Sequence, residues 1–460
     1  MKKTISIVII LILNMSMIFS QSLGDKELSE LKASFKGSSS DKAIQNALSN
    51  NKIKALAYNR QKGDKGDNYY SIEIETGSIT NQEKSGRCWM FTSLNILRPI
   101  VMKRLNISDF EFSENYLYFW DILEKSNIFL ERVIGTYKKG IYDREVSELF
   151  SSPVGDGGAW NSFVNLVKKY GLVPKEVMPE TEQSENTSEM LGLINERLRK
   201  DGLVLREMMQ KGKKGEVENE KLGMLKEIYR ILALSLGEPP KEFKWRYKDK
   251  SGKLSEYKDY SPRSFWEEAV GVNLDDYVMF VDDPTRPYYK LYEKERDKNV
   301  YEGMNWTYIN IPAKDLEKYA IKSLKGGDMM YFSCDVGKYL SKESGSLDIN
   351  NYDYKDLYGI NFDMNKSERM ETHQSGSTHG MALCGVDIDK SGRVRKWKLE
   401  NSWGAKYGRD GYLSMTEEWY RAYMFRLVIN KKYLDAKVLS ILKEEAKEVP
   451  YYNPAFSMDR

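Results

Sequence analysis

The sequence predicts an α+β protein, and three observations carry that reading. Apolar residues recur at helical spacing through the first half, as in Met90, Leu94 and Leu97 and then Tyr116, Phe119, Trp120 and Leu123. The last third instead carries short apolar runs separated by Gly and Asp: Met329 to Cys334, His379 to Ile388, Val394 to Glu400 and Gly411 to Met415. No internal repeat or long low-complexity tract relates the two halves, so helices early and strands late form one mixed architecture.

The chain has 460 residues, 41% hydrophobic and 30% charged, which is a globular composition able to bury a large core. Its formal charge is only +3, and Lys2 and Lys3 supply two of those charges, leaving about +1 beyond them (3 − 2). That balance gives no global field that would recruit nucleic acid.

From the N-terminus, Lys2-Lys3 precede an almost wholly apolar stretch, Thr4 to Phe19, broken at Asn14 to Ser16, and small residues follow at Ser20-Gln21-Ser22. This pattern predicts an export signal in residues 1–20 that is removed from the mature protein. The stretch is short for a membrane span of roughly 20 apolar residues, and no cysteine follows it to carry a lipid. Gln21 to about Asp67 is charged and rich in Ser and Lys, with a helical stretch near Lys42 to Tyr58, and reads as an N-terminal arm. Tyr70 to Ile79 alternates like a short strand.

Cys88 follows a Ser85-Gly86 turn and opens a run, Met90 to Leu97, with the character of a buried helix. A thiol at a helix start lies at the positive end of the helix dipole, where thiolate is favoured, and thiolate is the form that attacks carbonyl carbon. Gln82, six residues upstream, can reach back to polarise that carbonyl. Ser113 is a plausible start for the next helix. Ser151 to Trp160 is the strongest loop signal in the chain, built around Gly155-Asp156-Gly157-Gly158, and a helix from Asn161 to Tyr170 follows. Thr181 to about Leu236 is charged with helical periodicity, and Phe243 to Tyr260 reads as a hairpin turning at Lys250-Ser251-Gly252-Lys253. Thr416 to Tyr423 starts a further helix.

Three cysteines, Cys88, Cys334 and Cys384, are too few for a disulfide scaffold, and none forms a Cys-x-x-Cys pair that would favour zinc. Only two histidines exist, His373 and His379. A cysteine nucleophile in peptide hydrolysis needs an imidazole to take its proton and return it to the leaving amine. His379 opens an apolar strand that would hold it rigidly, whereas His373 sits in a polar stretch, so His379 is the expected base. Across one hairpin comes Glu400-Asn401-Ser402-Trp403-Gly404, where the Asn401 oxygen can accept the imidazole N–H and fix its tautomer. Trp403 can shield that hydrogen bond from water.

Taken together, Ile79-Thr80-Asn81-Gln82, Ser85-Gly86-Arg87-Cys88-Trp89, Asp156-Gly157-Gly158, Cys334-Asp335-Val336-Gly337-Lys338, Thr378-His379 and Glu400-Asn401-Ser402-Trp403-Gly404 resemble papain-like cysteine peptidases. Within these, the resemblance is to the bleomycin hydrolase and aminopeptidase C group, and it runs in order from about Ile79 to the C-terminus. It implies a two-lobed fold: a helical lobe with the cysteine (71–180), a helical and hairpin insertion (181–325), and a β-barrel-like lobe with the histidine and asparagine (326–445). It implies Cys88 as nucleophile, His379 as general base and acid, Asn401 as orienter, and Gln82 with the Cys88 backbone N–H as oxyanion donors. Gly157 and Gly158 would form a shelf for extended substrate backbone, and Trp403 would stand beside it.

The same resemblance implies that the C-terminal tail, 446–460, enters the cleft and that its end, here Arg460, holds a substrate's amine. That geometry makes an aminopeptidase, without metal or organic cofactor, assembled as a homo-hexamer and acting on peptides. Members of the group are usually cytosolic, which departs from the exported location expected here. The rival readings are an endopeptidase with an open cleft and a non-enzymatic peptide-binding scaffold.

Overall fold

The computed structural model describes residues 22–62 and 67–450. The expected export signal, the end of the tail and Arg460 therefore lie outside the described residues. The chain divides into two units, one of residues 22–58 with 354–360 and one of the remainder. The smaller unit is helical: Asp25–Ser34, Ser39–Asn50, Ile53–Ala57 and Tyr354–Tyr358. Ser38 starts the second of these helices by accepting a hydrogen bond from the Asp41 backbone N–H, while the Asp41 carboxylate accepts from Ser38 N–H.

In the larger unit a helical half precedes and packs on a sheet. Its main helices are Cys88–Asn95, Arg98–Leu105, Glu114–Gly135, Arg144–Ser151, Trp160–Tyr170, Ser188–Gln210 and Lys214–Leu236. Ser113 caps the longest of the first three by accepting from Tyr116 N–H, as its sequence suggests. Seven of the eight residues of Cys88–Asn95 are buried, and Trp89, Met90 and Leu94 join the core of the helical half. The predicted hairpin forms between Phe243–Trp245 and Lys258–Tyr260. Its turn is held by the Asp249 carboxylate, which accepts from the backbone N–H of Ser251 and Lys253, with Gly252 at φ 87°.

The sheet runs in the order Lys447–Val449, Lys290–Lys294, Trp306–Asn310, Tyr277–Val281, Met424–Asn430, Met330–Cys334, His379–Ile388, Val394–Glu400, Tyr412–Thr416, Ser346–Leu347, Leu340–Ser341. Ile72–Glu73 also pairs with His379–Ile388, at Val386 and Gly385. Side chains alternate between its faces with period two. Tyr331 and Ala382 join the core shared with the helical half. Phe332, Met381 and Leu383 join a second core, with Leu316, Trp419 and Tyr420 of the helices Ala313–Lys325 and Glu417–Tyr423. Each large side chain buried there contributes on the order of 2–3 kcal/mol.

Two sequence expectations change. Residues 277–310, expected within an insertion, supply three strands to this sheet. Val278–Val281 is a continuous apolar run buried on both faces, which lacks the alternation that marks a half-exposed strand. The strand Met424–Asn430 is likewise a run buried on both faces, without the alternation that marks a half-exposed strand. The β-rich half is thus one extended sheet that begins well before residue 326.

Candidate active site

The helix Cys88–Asn95 packs against the strand His379–Ile388, and this contact brings the two halves of the site together. Gly380 permits the approach: a Cβ there would lie 3.2 Å from Thr92 Oγ1 and 3.6 Å from the Cys88 carbonyl oxygen. A cleft of about 270 Å³ opens beside the contact, lined by Cys88, His379, Gln82, Gly157 and Gly158 among others. Cys88 is the first residue of its helix, and Arg87, the residue before it, provides no side-chain cap. Cys334 and Cys384 are fully buried thiols whose burial pushes their pKa up, so only Cys88 joins a thiol to the cleft.

His379 is 6% exposed, and its Nε2 lies 2.7 Å from Asn401 Oδ1. The Asn401 amide is oriented by a second contact, since Oδ1 also accepts the Ser402 backbone N–H at 2.9 Å. A backbone N–H can only donate, so the oxygen must face it, and the imidazole proton then sits on Nε2. Burial lowers the His379 pKa from 6.5 to about 4, against the smaller upward pull of the Asn401 hydrogen bond. The ring is neutral at pH 7, with the Nδ1 lone pair available. Trp403 lies over it, centroids 4.6 Å apart and planes at 31°. Trp403 does not line the cleft; its place is behind the histidine. His373 is exposed, with φ 59°, and does not line the cleft either.

Gln82 is buried and held at both ends of its amide. Oε1 accepts from Ser402 Oγ at 2.7 Å, Nε2 donates to the Ser85 carbonyl at 2.6 Å, and its backbone N–H donates to the Ser402 carbonyl at 2.8 Å. The segments carrying Gln82 and Asn401 are thereby stitched together. Gly158 lies against the Trp89 indole, where a Cβ would come within 2.6 Å of Cε2. The Gly157 carbonyl accepts from Lys125 Nζ at 2.6 Å.

Three supports of the cleft escaped the sequence reading. Asp156 accepts the Gly86 N–H at 2.6 Å and the Thr187 hydroxyl at 2.6 Å, and its carbonyl accepts Trp89 Nε1 at 2.8 Å, tying the glycine loop to the helix that Cys88 opens. Arg87 is fully buried and forms a two-pronged pair with Glu180 at 3.1 and 2.7 Å. Arg426 lines the cleft floor. Asp156 and Arg87 are charged residues inside the quoted motifs and Arg426 one inside the apolar run Met424 to Ile429, and a charge in such a setting is the signal that points to their supporting roles.

A cysteine at a helix start, facing a sheet that carries a histidine held by an asparagine, defines a papain-like cysteine peptidase. The model of the Peptidase C1-like family matches residues 22–455. The chain is 40% identical over 408 residues to Aminopeptidase C of Lactobacillus delbrueckii subsp. lactis, covering 88% of this chain and 90% of that one. It is 35% identical over 396 residues to human bleomycin hydrolase, covering 84% and 87%. The crystal structure of PepW from Lactobacillus rhamnosis HN001 superposes with a TM-score of 0.91 at 38% identity, covering 95% of this chain and 99% of that one. The chain belongs to the Peptidase C1-like family. It is a cysteine-type peptidase with the papain-like fold, related to the aminopeptidase C and bleomycin hydrolase proteins.

Proposed function

We propose that the protein is an aminopeptidase that hydrolyses the N-terminal bonds of peptides through Cys88, His379 and Asn401. The observation that carries the reading is the His379–Asn401 contact in the cleft that also holds Cys88. His379 Nδ1 takes the thiol proton, and the thiolate adds to the scissile carbonyl carbon. The oxygen, now anionic, receives N–H groups from the Cys88 backbone and from Gln82 Nε2, whose second proton remains after the bond to Ser85. Collapse breaks the C–N bond as His379 delivers its proton to the departing amine. Water, deprotonated by the same imidazole, then attacks the thioester and releases Cys88.

The restriction to N-terminal bonds draws on the names of the relatives and on the expected entry of the tail, with Arg460, into the cleft. N-acetylated and free-amine forms of one peptide test it: the blocked form should resist cleavage, and equal cleavage would favour an endopeptidase. Cys88→Ala should abolish turnover and keep the fold, and residual hydrolysis would refute the nucleophile. Gln82→Ala should lower kcat by roughly 10²–10³-fold with little change in KM.

The same proposal has the protein exported on residues 1–20 and assembled as a homo-hexamer. Cell fractionation and the solution mass of the purified protein test these two points.

A further inference from the structure

We infer that Asp335 is a positioning residue for His379: from the end of the neighbouring strand it anchors the segment that delivers the base to Cys88. The inference rests on the chemistry proposed above, in which His379 takes the proton of Cys88. It gives a role to Cys334-Asp335-Val336-Gly337-Lys338, a motif whose residues stand outside the reacting groups.

The register of the sheet sets the geometry. Cys334 and His379 are paired directly, and the Thr378 N–H donates to the Cys334 carbonyl at 3.0 Å. Ahead of Thr378 the ladder ends, and the next residue of the facing strand takes over with its side chain. Asp335 Oδ2 accepts the Ser375 hydroxyl at 2.7 Å, and the Gly376 N–H helps to hold the charge of the same carboxylate. Asp335 is itself fixed from two other directions. Its N–H donates to the Tyr423 carbonyl at 3.1 Å, and its carbonyl accepts the Lys338 N–H at 3.1 Å, which closes a turn through Val336 and Gly337.

Asp335 and Ser375 are 5% and 3% exposed, so the bond between them is shielded from water. Burial pushes the Asp335 pKa up, while the Ser375 bond and the Lys338 ammonium, 4.0 Å away, act against it. A carboxylate is costly in such a place, and a turn alone does not require one. What it adds is acceptor capacity, two oxygens that several donors can share, which no apolar side chain offers. Ser377 and His379, directly downstream of this anchor, both line the cleft with Cys88. A displacement of about 1 Å at the base is enough to cost on the order of 10²-fold in rate.

The pH dependence of Cys88 alkylation by iodoacetamide tests the inference on the full-length protein. Cys334 and Cys384 are fully buried, so the reaction reads Cys88, and it needs no turnover. An imidazole in place to take the thiol proton sets the midpoint of the profile below the ~8.5 of an unassisted thiol. Asp335→Ala should raise that midpoint by about one pH unit, so that alkylation on the acidic limb slows about 10-fold, and kcat should fall with it. Asp335→Asn, which keeps an acceptor for Ser375, should recover most of the change. Ser375→Ala removes the same bond from the other side and should move the midpoint in the same direction, which keeps the test readable if Asp335→Ala does not fold.

In a His379→Ala background Asp335→Ala should add nothing, because the side chain it positions is gone. A further change there, or an unmoved midpoint in Asp335→Ala while the melting temperature falls, makes Asp335 a structural residue only and overturns the inference. A midpoint that is the same in the unaltered protein and in His379→Ala refutes the proposed chemistry, and this inference with it. A midpoint that responds to His379 but not to Asp335 or Ser375 refutes this inference alone.

Discussion

Asn401 presents its side-chain oxygen to His379 because the backbone N–H of Ser402 holds that same oxygen, at 2.9 Å, from the other side. The tautomer of the histidine is thus decided by a main-chain group that cannot change its role. Asn401 itself exchanges no proton. Replacing it with Ala should lower kcat/KM by about 10- to 10²-fold, whereas His379→Ala, which removes the proton carrier, should lower it further, by roughly 10³-fold or more. Steady-state kinetics on the two variants, with thermal melts as a control, measure the difference.

Trp403 covers the His379 ring and contributes to the burial that holds its pKa at about 4. In the proposed mechanism His379 must be neutral to accept the thiol proton, so kcat/KM in the unaltered protein should fall only as the pH drops toward that value. Trp403→Ala admits water to the ring and relieves part of the burial. Its pKa should then rise toward the ordinary 6.5, moving the acidic limb of the pH–rate profile to higher pH. A profile whose acidic limb stays in place would assign Trp403 to packing alone.

The same depressed pKa ties His379 to stability. The unfolded chain binds a proton at this residue near 6.5 and the folded protein only near 4, so acid favours the unfolded state between the two. The contribution is complete above pH 6.5 and is lost as pH falls through the interval to 4, a change on the order of 3 kcal/mol. Urea titrations across that window should show a steeper loss for the unaltered protein than for His379→Gln.

Gly158→Ala sets a methyl group where the Trp89 indole lies, at 2.6–2.9 Å from three of its carbons. The ring must move, and with it the bond from Nε1 to the Asp156 carbonyl. The expected cost is about 1–3 kcal/mol in stability, with a rise in KM as the glycine loop shifts. An unchanged KM would argue that the loop does not meet substrate.

Arg87, fully buried and next to Cys88 in sequence, pairs with the partly buried Glu180, and it also lies 5.2 Å from the Phe91 ring and 5.1 Å from the Tyr118 ring. Glu180→Gln leaves the guanidinium buried without its counter-charge and should destabilise the protein by about 3–5 kcal/mol in denaturant titration.

Much of this was legible in the chain itself, for identifiable reasons. His379–Ile388 and Val394–Glu400 are strands with the residue limits their composition suggested, because Gly and Asp punctuate them on both sides. Residue chemistry singles out Cys88, Gln82, His379 and Asn401, and the structure brings all four into or beside one cleft. What local sequence does not carry is register. Nothing near Arg426 says that Ser333 will separate it from Gly380, so its place in the cleft floor emerges only from pairing between distant strands. Tyr277–Val281 was missed because a strand buried on both faces loses the alternation that announces a strand.

The strand that begins with His379 lies inside the sheet, paired with Met330–Cys334 from His379 to Leu383 and with Val394–Glu400 from Ala382 to Ile388. An edge strand can fray alone, but an interior one separates only when its neighbours also let go. The amides of Ala382 and Leu383, flanked by both neighbours, should therefore exchange hydrogen for deuterium far more slowly than the loops around Gly157. The histidine, three residues before that doubly flanked stretch, is then expected to keep its place as long as the sheet around it stays closed.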